Sequence, residues 1–155
     1  MSLMYEVAFP QQAPEVRSVL QDVIRAYTLP LTVDLENEQS LIVRQQGEYL
    51  LDVTVFTEAD CYELKDGQYM YSTSWLVEFG KADPIQAMRF YVGVLGQLAQ
   101  QFSQDFLAIS DGWMVVLKKE AGRVDLNAAS GVWDNPEYLA MLGNAIQPLA
   151  NRSVV

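Results

Sequence analysis

Residues 69–79 alternate between two kinds of side chain, and this alternation limits the folds that the chain can adopt. Every second position is aromatic, β-branched or otherwise large: Tyr69, Tyr71, Thr73, Trp75, Val77 and Phe79. The positions between them include Met70, Ser72, Ser74 and Glu78. Because successive side chains of a strand point to opposite faces of a sheet, the pattern predicts a strand with one buried face. The second, small and polar face is expected to meet solvent or a partner, as in an antiparallel sheet.

Six further segments have the composition of strands. They are residues 5–9, 40–46, 48–57, 106–110, 113–117 and 123–127. Asp111-Gly112 separates two apolar runs and is a strong signal for a β-hairpin. Residues 31–40 and 58–68 are rich in polar and acidic side chains and are predicted to be irregular connections.

Three segments have helical spacing and typical helix starts. Pro14 opens the first, and Asp83-Pro84 opens the second with Asp83 as the N-cap. Gly93 and Gly96 lie inside the second helix and predict close packing against the sheet, in preference to a groove for a partner. Asn135-Pro136 opens a last helix, whose inward positions would be Leu139, Leu142, Ile146 and Leu149.

The resulting order is roughly β-α-β-β-β-α-β-β-β-α, which predicts an α+β fold. The sheet is expected to be mostly antiparallel, with the helices packed on one face. A chain of 155 residues fits a single domain over residues 1–155. Met4 is a second methionine, so residues 1–3 are interpreted as an added leader, and residues 151–155 as a frayed tail.

The net charge of −10 limits the partners of the protein. A nucleic-acid binder needs cations to displace the counterions of the phosphates, and an anionic membrane surface also attracts cations. We therefore expect neither a nucleic-acid nor a membrane partner. No apolar run approaches the roughly 20 residues that span a bilayer, and one cysteine cannot form an intrachain disulfide. A cytoplasmic location is expected.

The residue types needed for common catalytic and metal sites are missing. The sequence contains no histidine, which excludes Ser-His-Asp triads, Cys-His pairs and ordinary zinc sites. Cys61 has acidic neighbours in sequence, which disfavour a reactive thiolate, and is interpreted as a small, partly buried residue. Phosphate-binding glycine loops are also absent. We predict no enzymatic activity, no catalytic residue, no metal site and no cofactor.

Acidic residues concentrate in one region of the chain. Residues 34–66 contain nine acids and two bases, whereas residues 81–155 contain seven acids and six bases. Such a region can attract a basic protein and speed its association, or it can serve only solubility. The candidate partner-binding residues are Asp52, Glu58, Asp60, Glu63 and Asp66.

From Lys81 onward a series of short motifs follows in a characteristic order: a "D-x-x-x-x-M-R" helix start, an Asp-Gly hairpin, "V-V-L-K-K", "G-R-V-D-L-N" and "G-V-W". The residues that carry them are Asp83, Met88, Arg89, Asp105, Gly112, Val115, Val116, Leu117, Lys118, Lys119, Gly122, Arg123, Leu126, Asn127, Gly131 and Trp133. In this order and spacing the second half of the chain resembles the immunity proteins of the Sit type, which bacteria use with contact-delivered toxins. Residues 31–80 match that family only in strand order.

The resemblance implies a protein that binds and neutralises a cognate toxin without catalysis. A basic toxin would suit the acidic region. The alternative is a type III secretion-like chaperone that holds an effector segment, and the order of small acidic α+β elements resembles that class too. A third alternative is an enzyme or small-ligand domain with a pocket of converging acids. Both a monomer and a homodimer are compatible with these interpretations.

Overall fold

The structure is a computed structural model, which describes residues 4–65 and 67–143 and the backbone of residues 146–149. The described residues form a nine-stranded sheet, a separate two-stranded hairpin and three helices. The strands are β1 (Met4–Phe9), β2 (Leu31–Leu35), β3 (Ser40–Gln45), β4 (Glu48–Phe56), β5 (Asp60–Leu64), β6 (Gly67–Tyr71), β7 (Thr73–Phe79), β8 (Phe106–Ser110), β9 (Met114–Glu120), β10 (Arg123–Asn127) and β11 (Ile146–Leu149). The helices are α1 (Val16–Ala26), α2 (Pro84–Gln101) and α3 (Pro136–Met141), and two 3-10 turns span Ala128–Ser130 and Val132–Asp134.

The strands of the large sheet lie in the order β11-β10-β9-β8-β1-β7-β4-β3-β2. All neighbours pair antiparallel except β10 and β11, which are parallel. β1 occupies the middle, between β7 and β8. The predicted α+β class with a mostly antiparallel sheet is confirmed.

One face of the sheet carries the helices and the main core. The Glu15 carboxylate accepts a hydrogen bond from the backbone N–H of Ser18 at 3.0 Å and starts α1. As predicted, the carboxylate of Asp83 starts α2 by accepting the N–H of Gln86 at 3.1 Å. The largest fully buried side chains include Phe9, Trp75, Phe90, Tyr91 and Phe106. A fully buried side chain of this kind stabilises the fold by about 1.5–3 kcal/mol.

The opposite face of the sheet is covered only in part. The β5–β6 hairpin lies over β1, β8 and β9 on this face, where its aromatic residues close a second, smaller core. That core consists of Ala8, Tyr69, Leu107, Ile109 and Val115, with Tyr62, Leu64 and Tyr71 packed against it. The same face of β7, β4, β3 and β2 lacks a packed helix or hairpin among the described residues.

The structure corrects the predicted extent of three strand regions. The predicted irregular segment 31–40 contains β2, in which Leu31 and Val33 are buried on the helix side. The predicted connection 58–68 contains β5. The predicted continuous strand 69–79 breaks at Ser72. Its backbone N–H donates to the carbonyl oxygen of Phe9 at the end of β1, and its hydroxyl donates to the carbonyl oxygens of Pro10 and Gln11 just after β1. β6 therefore leaves the large sheet and pairs with β5.

The last predicted helix was too long. α3 ends at Met141, two residues before Gly143, which has a φ of +82° that a right-handed helix cannot accommodate. Residues 146–149 form β11 instead, parallel to β10 at one edge of the sheet. An edge position tolerates Pro148, which lacks a backbone N–H. The expectations for residues 1–3 and 151–155 lie outside the described residues.

The two glycines of α2 pack against helices, whereas packing against the sheet had been predicted. A Cβ atom on Gly96 would lie 2.6 Å from the carbonyl oxygen of Met141 in α3. A Cβ atom on Gly93 would lie 2.8 Å from Val23 Cγ1 in α1. Both glycines therefore allow close approach of a neighbouring helix.

Candidate partner-binding face

The uncovered side of the large sheet, called the open face below, combines acidic and apolar side chains. The members of the open face come from β1, β7, β4, β3 and β2: Glu6, Thr32, Asp34, Ser40, Ile42, Arg44, Asp52, Thr54, Phe56, Ser74, Leu76 and Glu78. Four of these residues are acidic and one is basic. Leu76 and Ile42 are half-buried, and Phe56 is exposed.

Two acids of the open face are held next to each other. Asp52 on β4 lies directly across from Glu78 on β7. The hydroxyl of Tyr49 donates a hydrogen bond to Asp52 Oδ2 at 2.9 Å and lies 3.2 Å from the carbonyl oxygen of Glu78. Burial, and then the hydrogen bond to Asp52, raise the pKa of Tyr49, so this hydroxyl stays protonated at neutral pH. The tyrosine offsets part of the like-charge repulsion.

A cavity of about 210 Å³ opens where the open face meets the β5–β6 hairpin, and we call it the corner cavity. Its sheet side is formed by Glu6, Phe56, Ser74 and Leu76, and its other sides by Glu58, Asp60 and Tyr71. The ring of Tyr71 stacks on that of Tyr62 with centroids 5.0 Å apart. The hydroxyl of Tyr62 donates a hydrogen bond to Glu6 Oε2. This bond ties the hairpin to the centre of the sheet and fixes the shape of the corner cavity.

The structure separates the sequence-predicted binding residues. Asp52 lies on the open face, and Glu58 and Asp60 line the corner cavity beside it. Glu63 is exposed, and its carboxylate accepts a hydrogen bond from Gln68 Nε2 at 2.7 Å. Strand alternation in β5 turns it away from the sheet, because Tyr62 and Leu64 on either side pack inward. Asp66 lies outside the described residues.

Two acids of this region were missed because they lie outside the acidic segment 34–66. Glu6 comes from β1 and Glu78 from β7. Each is flanked on both sides by buried residues of a strand, so the alternation itself places them on the second face. The pairing of β1 with β7 brings Glu6 and Glu78 onto the same face of the sheet. This pairing is a long-range contact, which the sequence pattern does not predict.

Cys61 and the three tryptophans differ in how far they are buried. Cys61 is half-buried, as predicted, and pairs in register with the exposed Met70 on the hairpin. Trp75 and Trp133 are buried. Trp113 is exposed by 52 %, at the turn that follows Asp111-Gly112.

Several residues that carry the family resemblance stabilise the fold. Lys119 is buried and its Nζ donates to the carbonyl oxygens of Leu98, at 3.3 Å, and of Phe102, where α2 ends. The buried side chain of Asn127 donates to the carbonyl oxygen of Val115 at 2.8 Å. The indole N–H of Trp133 donates a hydrogen bond to the carbonyl oxygen of Val116 at 2.8 Å.

Further motif residues fix turns and connect elements. Asp105 accepts the backbone N–H of Ala121 at 3.0 Å, at the turn before β10. Arg89 forms an ion pair with Glu137 at 2.8 Å and connects α2 to α3. Asp111 and Gly112 both have positive φ and form the predicted hairpin turn. These positions therefore specify the scaffold, whereas the open face is made by other residues.

Two larger cavities among the described residues do not gather reactive groups. One of about 340 Å³ lies beside the Arg89–Glu137 ion pair, between α1, α2 and α3. Another of similar volume lies among the polar loops at residues 10–12 and 103–105. Over residues 4–65 and 67–143, no group of three or more Cys, Asp or Glu side chains could hold a metal ion. None of the helices described by the structure is long and apolar enough to cross a membrane.

Among the described residues, the open face and its corner cavity combine carboxylates, a few apolar side chains and one cavity of side-chain size. No protein-family model, curated protein or solved structure matches the chain.

Proposed function

We propose that the protein is a non-catalytic binding protein that neutralises a cognate toxin, and that the open face makes the contact. The single observation that carries this proposal is the open face itself, an uncovered sheet surface with acids spread among apolar side chains. The resemblance of the second half of the chain to Sit-type immunity proteins supports the same role. Neutralisation would take place in the cytoplasm of the producing cell.

The composition of the open face suits a basic protein partner. Glu6, Asp52 and Glu78 are spread over three neighbouring strands, with Glu58 and Asp60 beside them. Complementary charges of this kind raise the association rate by long-range attraction and discriminate against acidic partners. A net charge of −10 adds to the same field.

The apolar members of the open face supply the short-range part of binding. Ile42, Leu76 and Phe56 would lose water on contact with a partner. Burial of apolar surface contributes about 25 cal/mol per Å² before the costs of association. A few such side chains surrounded by charge resemble the layout of specific interfaces, which have a dry centre and a polar rim.

The first experiment is affinity capture from the source cells, identification of the partner, and a growth test of rescue by co-expression. Rescue of cells that express a captured toxin supports the proposal. A homodimer that holds an extended effector segment, without any rescue, would instead favour the chaperone alternative.

Charge-reversed variants then test the contact surface. We expect the double variant Glu58→Lys/Asp60→Lys to weaken toxin binding at least tenfold and to reduce its dependence on salt. The matched control is Glu63→Lys/Asp134→Lys, which changes the net charge equally at exposed sites outside the open face and the corner cavity. Equal loss of affinity in both double variants would show that overall charge, and not the position of Glu58 and Asp60 beside the open face, governs binding.

A further inference from the structure

The corner cavity is built from three kinds of group that together suit a cation. Three carboxylates border it, from Glu6, Glu58 and Asp60. Two aromatic rings, of Phe56 and Tyr71, form part of its sides. Aromatic faces attract cations, and planar cations stack on them. The volume of about 210 Å³ is below the roughly 300–1,000 Å³ of drug-sized ligand pockets, so one side chain is the better match.

Ser74 gives the corner cavity an unused polar group. The residue is 6 % exposed, and its side chain points to the cavity side of β7. Its hydroxyl has no hydrogen bond within the part of the chain that the structure describes. The hydroxyl lines the corner cavity and can donate one hydrogen bond and accept others, so it marks a place where a hydrogen-bonding group of a ligand would be accommodated.

The arrangement of the carboxylates decides which cation fits. They do not converge as the ligands of a metal ion would, as far as the described residues extend. One oxygen of Glu6 already accepts the Tyr62 hydroxyl, and Asp60 Oδ1 accepts the N–H of Cys61 at 2.8 Å. A guanidinium group is planar and has five N–H donors in several directions, so it can reach separated acceptors while it stacks on a ring. An ammonium group presents a compact charge instead.

We propose that the corner cavity is a socket for the guanidinium group of one arginine side chain of the partner protein. The carboxylates of Glu6 and Glu58 accept its hydrogen bonds, Ser74 Oγ accepts one more, and the ring of Tyr71 stacks on its plane. This rests on the proposed function in that the arginine belongs to the partner. The proposal adds to that function the residue type, arginine, by which the partner is anchored in the corner cavity.

The socket can be tested without the partner. The probe is N-acetyl-L-arginine methylamide, titrated into the full-length, ¹⁵N-labelled protein and followed by NMR. We expect saturable shifts at the backbone amides of Ser74, Tyr71 and Leu76, with a dissociation constant of roughly 1 mM, as is typical for one side chain. The citrulline analogue, which has the same shape and no charge, should bind at least tenfold more weakly, and the lysine analogue should also bind more weakly.

Two matched variants separate the socket from the rest of the open face. Leu76→Trp fills the corner cavity and should abolish the saturable shifts, whereas Ile42→Trp adds the same ring elsewhere on the open face and should leave them intact. Ser74→Ala removes only the hydroxyl and should weaken arginine binding severalfold. Retained dispersion of the amide spectrum shows that each variant is folded.

Three outcomes would refute the proposed socket. The first is chemical-shift changes that are scattered over all acidic segments and do not saturate. The others are equal binding of the lysine analogue and unchanged arginine binding in the Leu76→Trp variant. These results are independent of the toxin test. Saturable arginine binding without any toxin rescue would retain the socket and refute the proposed function. Rescue through the open face without arginine binding would refute the socket alone.

Discussion

Asp52 and Glu78 lie directly opposite each other on β4 and β7, so two carboxylates occupy neighbouring positions on the open face. Like charges at directly opposed positions of antiparallel strands destabilise the pairing. The Tyr49 hydroxyl bonds to Asp52 and lies close to the backbone of Glu78, but it brings no positive charge. The open face therefore keeps its acidity at a cost in stability.

Removal of one charge from this pair should stabilise the protein. We expect Asp52→Asn to raise the free energy of unfolding by about 0.2–1 kcal/mol at low salt, because the amide oxygen can still accept the Tyr49 hydroxyl. Urea unfolding at two salt concentrations measures the change, which should shrink as salt screens the repulsion. The control is Asp34→Asn, which removes the partner of Arg44 at 3.2 Å and should leave stability unchanged or lower it slightly. A destabilised Asp52→Asn variant would contradict the repulsion.

Two tyrosines should respond in opposite ways to the loss of their hydroxyl groups. Tyr62→Phe removes the hydrogen bond to Glu6 and should lower the free energy of unfolding by about 1.5–3 kcal/mol, the range for bonds to charged groups. The Tyr91 hydroxyl is buried and has no partner among the described residues, so Tyr91→Phe should be neutral or stabilising. Chemical denaturation of both variants measures the two changes in the free energy of unfolding. The comparison is matched because each substitution removes one phenolic hydroxyl. A larger loss in Tyr91→Phe than in Tyr62→Phe would refute the assignment.

Alkaline pH should unfold the protein through its buried tyrosines. Burial raises the pKa of Tyr5, Tyr69 and Tyr91 above the usual 10.0, and burial with the hydrogen bond to Glu6 raises that of Tyr62. Below pH 10 these groups are protonated in both states and stability is at its full value. Above pH 10 the unfolded state loses these protons first, so stability falls as the pH rises towards the folded-state pKa values.

The measurement is urea unfolding between pH 8 and pH 11, combined with tyrosine absorbance. The phenolate absorbance of the buried tyrosines should rise as the signal of the folded state is lost. Tyr91→Phe should reduce the slope of stability against pH, because it removes one proton difference between the states. A slope that is unchanged in this variant would show that Tyr91 does not take part.

Lys119 should be necessary for the end of α2. We expect Lys119→Met to lower the free energy of unfolding by roughly 1–3 kcal/mol, because the carbonyl groups of Leu98 and Phe102 lose their donor. Lys118→Met is the matched control, since the contacts of Lys118 among the described residues are the carboxylate of Glu120, at 3.2 Å, and the ring of Tyr69. Its effect should stay below about 1 kcal/mol. Similar losses in both variants would contradict a specific role of Lys119.

The sequence predicted those parts of the fold that depend on local signals. Asp83-Pro84 marked the start of α2 and Asp111-Gly112 marked a hairpin, because caps and tight turns use few residue types for steric reasons. The alternation over 73–79 also predicted a polar second face, which the structure places on the open face. These features need no knowledge of distant segments.

The rest depends on contacts between distant segments. Alternation continues through Ser72, and the break between β6 and β7 coincides with its hydrogen bonds to Phe9, Pro10 and Gln11, which are distant in sequence. In β5, Tyr62 and Leu64 pack on the face of the large sheet formed by β1, β8 and β9. A local sequence pattern does not predict this contact. The corner cavity combines Glu6, Asp60 and Ser74, and only the finished sheet brings them together.

The central position of β1 has a consequence for how the chain is made. β1 is synthesised before its two neighbours, β7 and β8, which follow α1 and many further residues. At about 5–20 residues per second, several seconds pass on the ribosome before β7 can pair with it, and longer before β8 does. During that time the two edges of a mostly apolar segment are free, and such long-range pairing is slow to form. The yield of folded protein should therefore depend on how long β1 stays unpaired during synthesis.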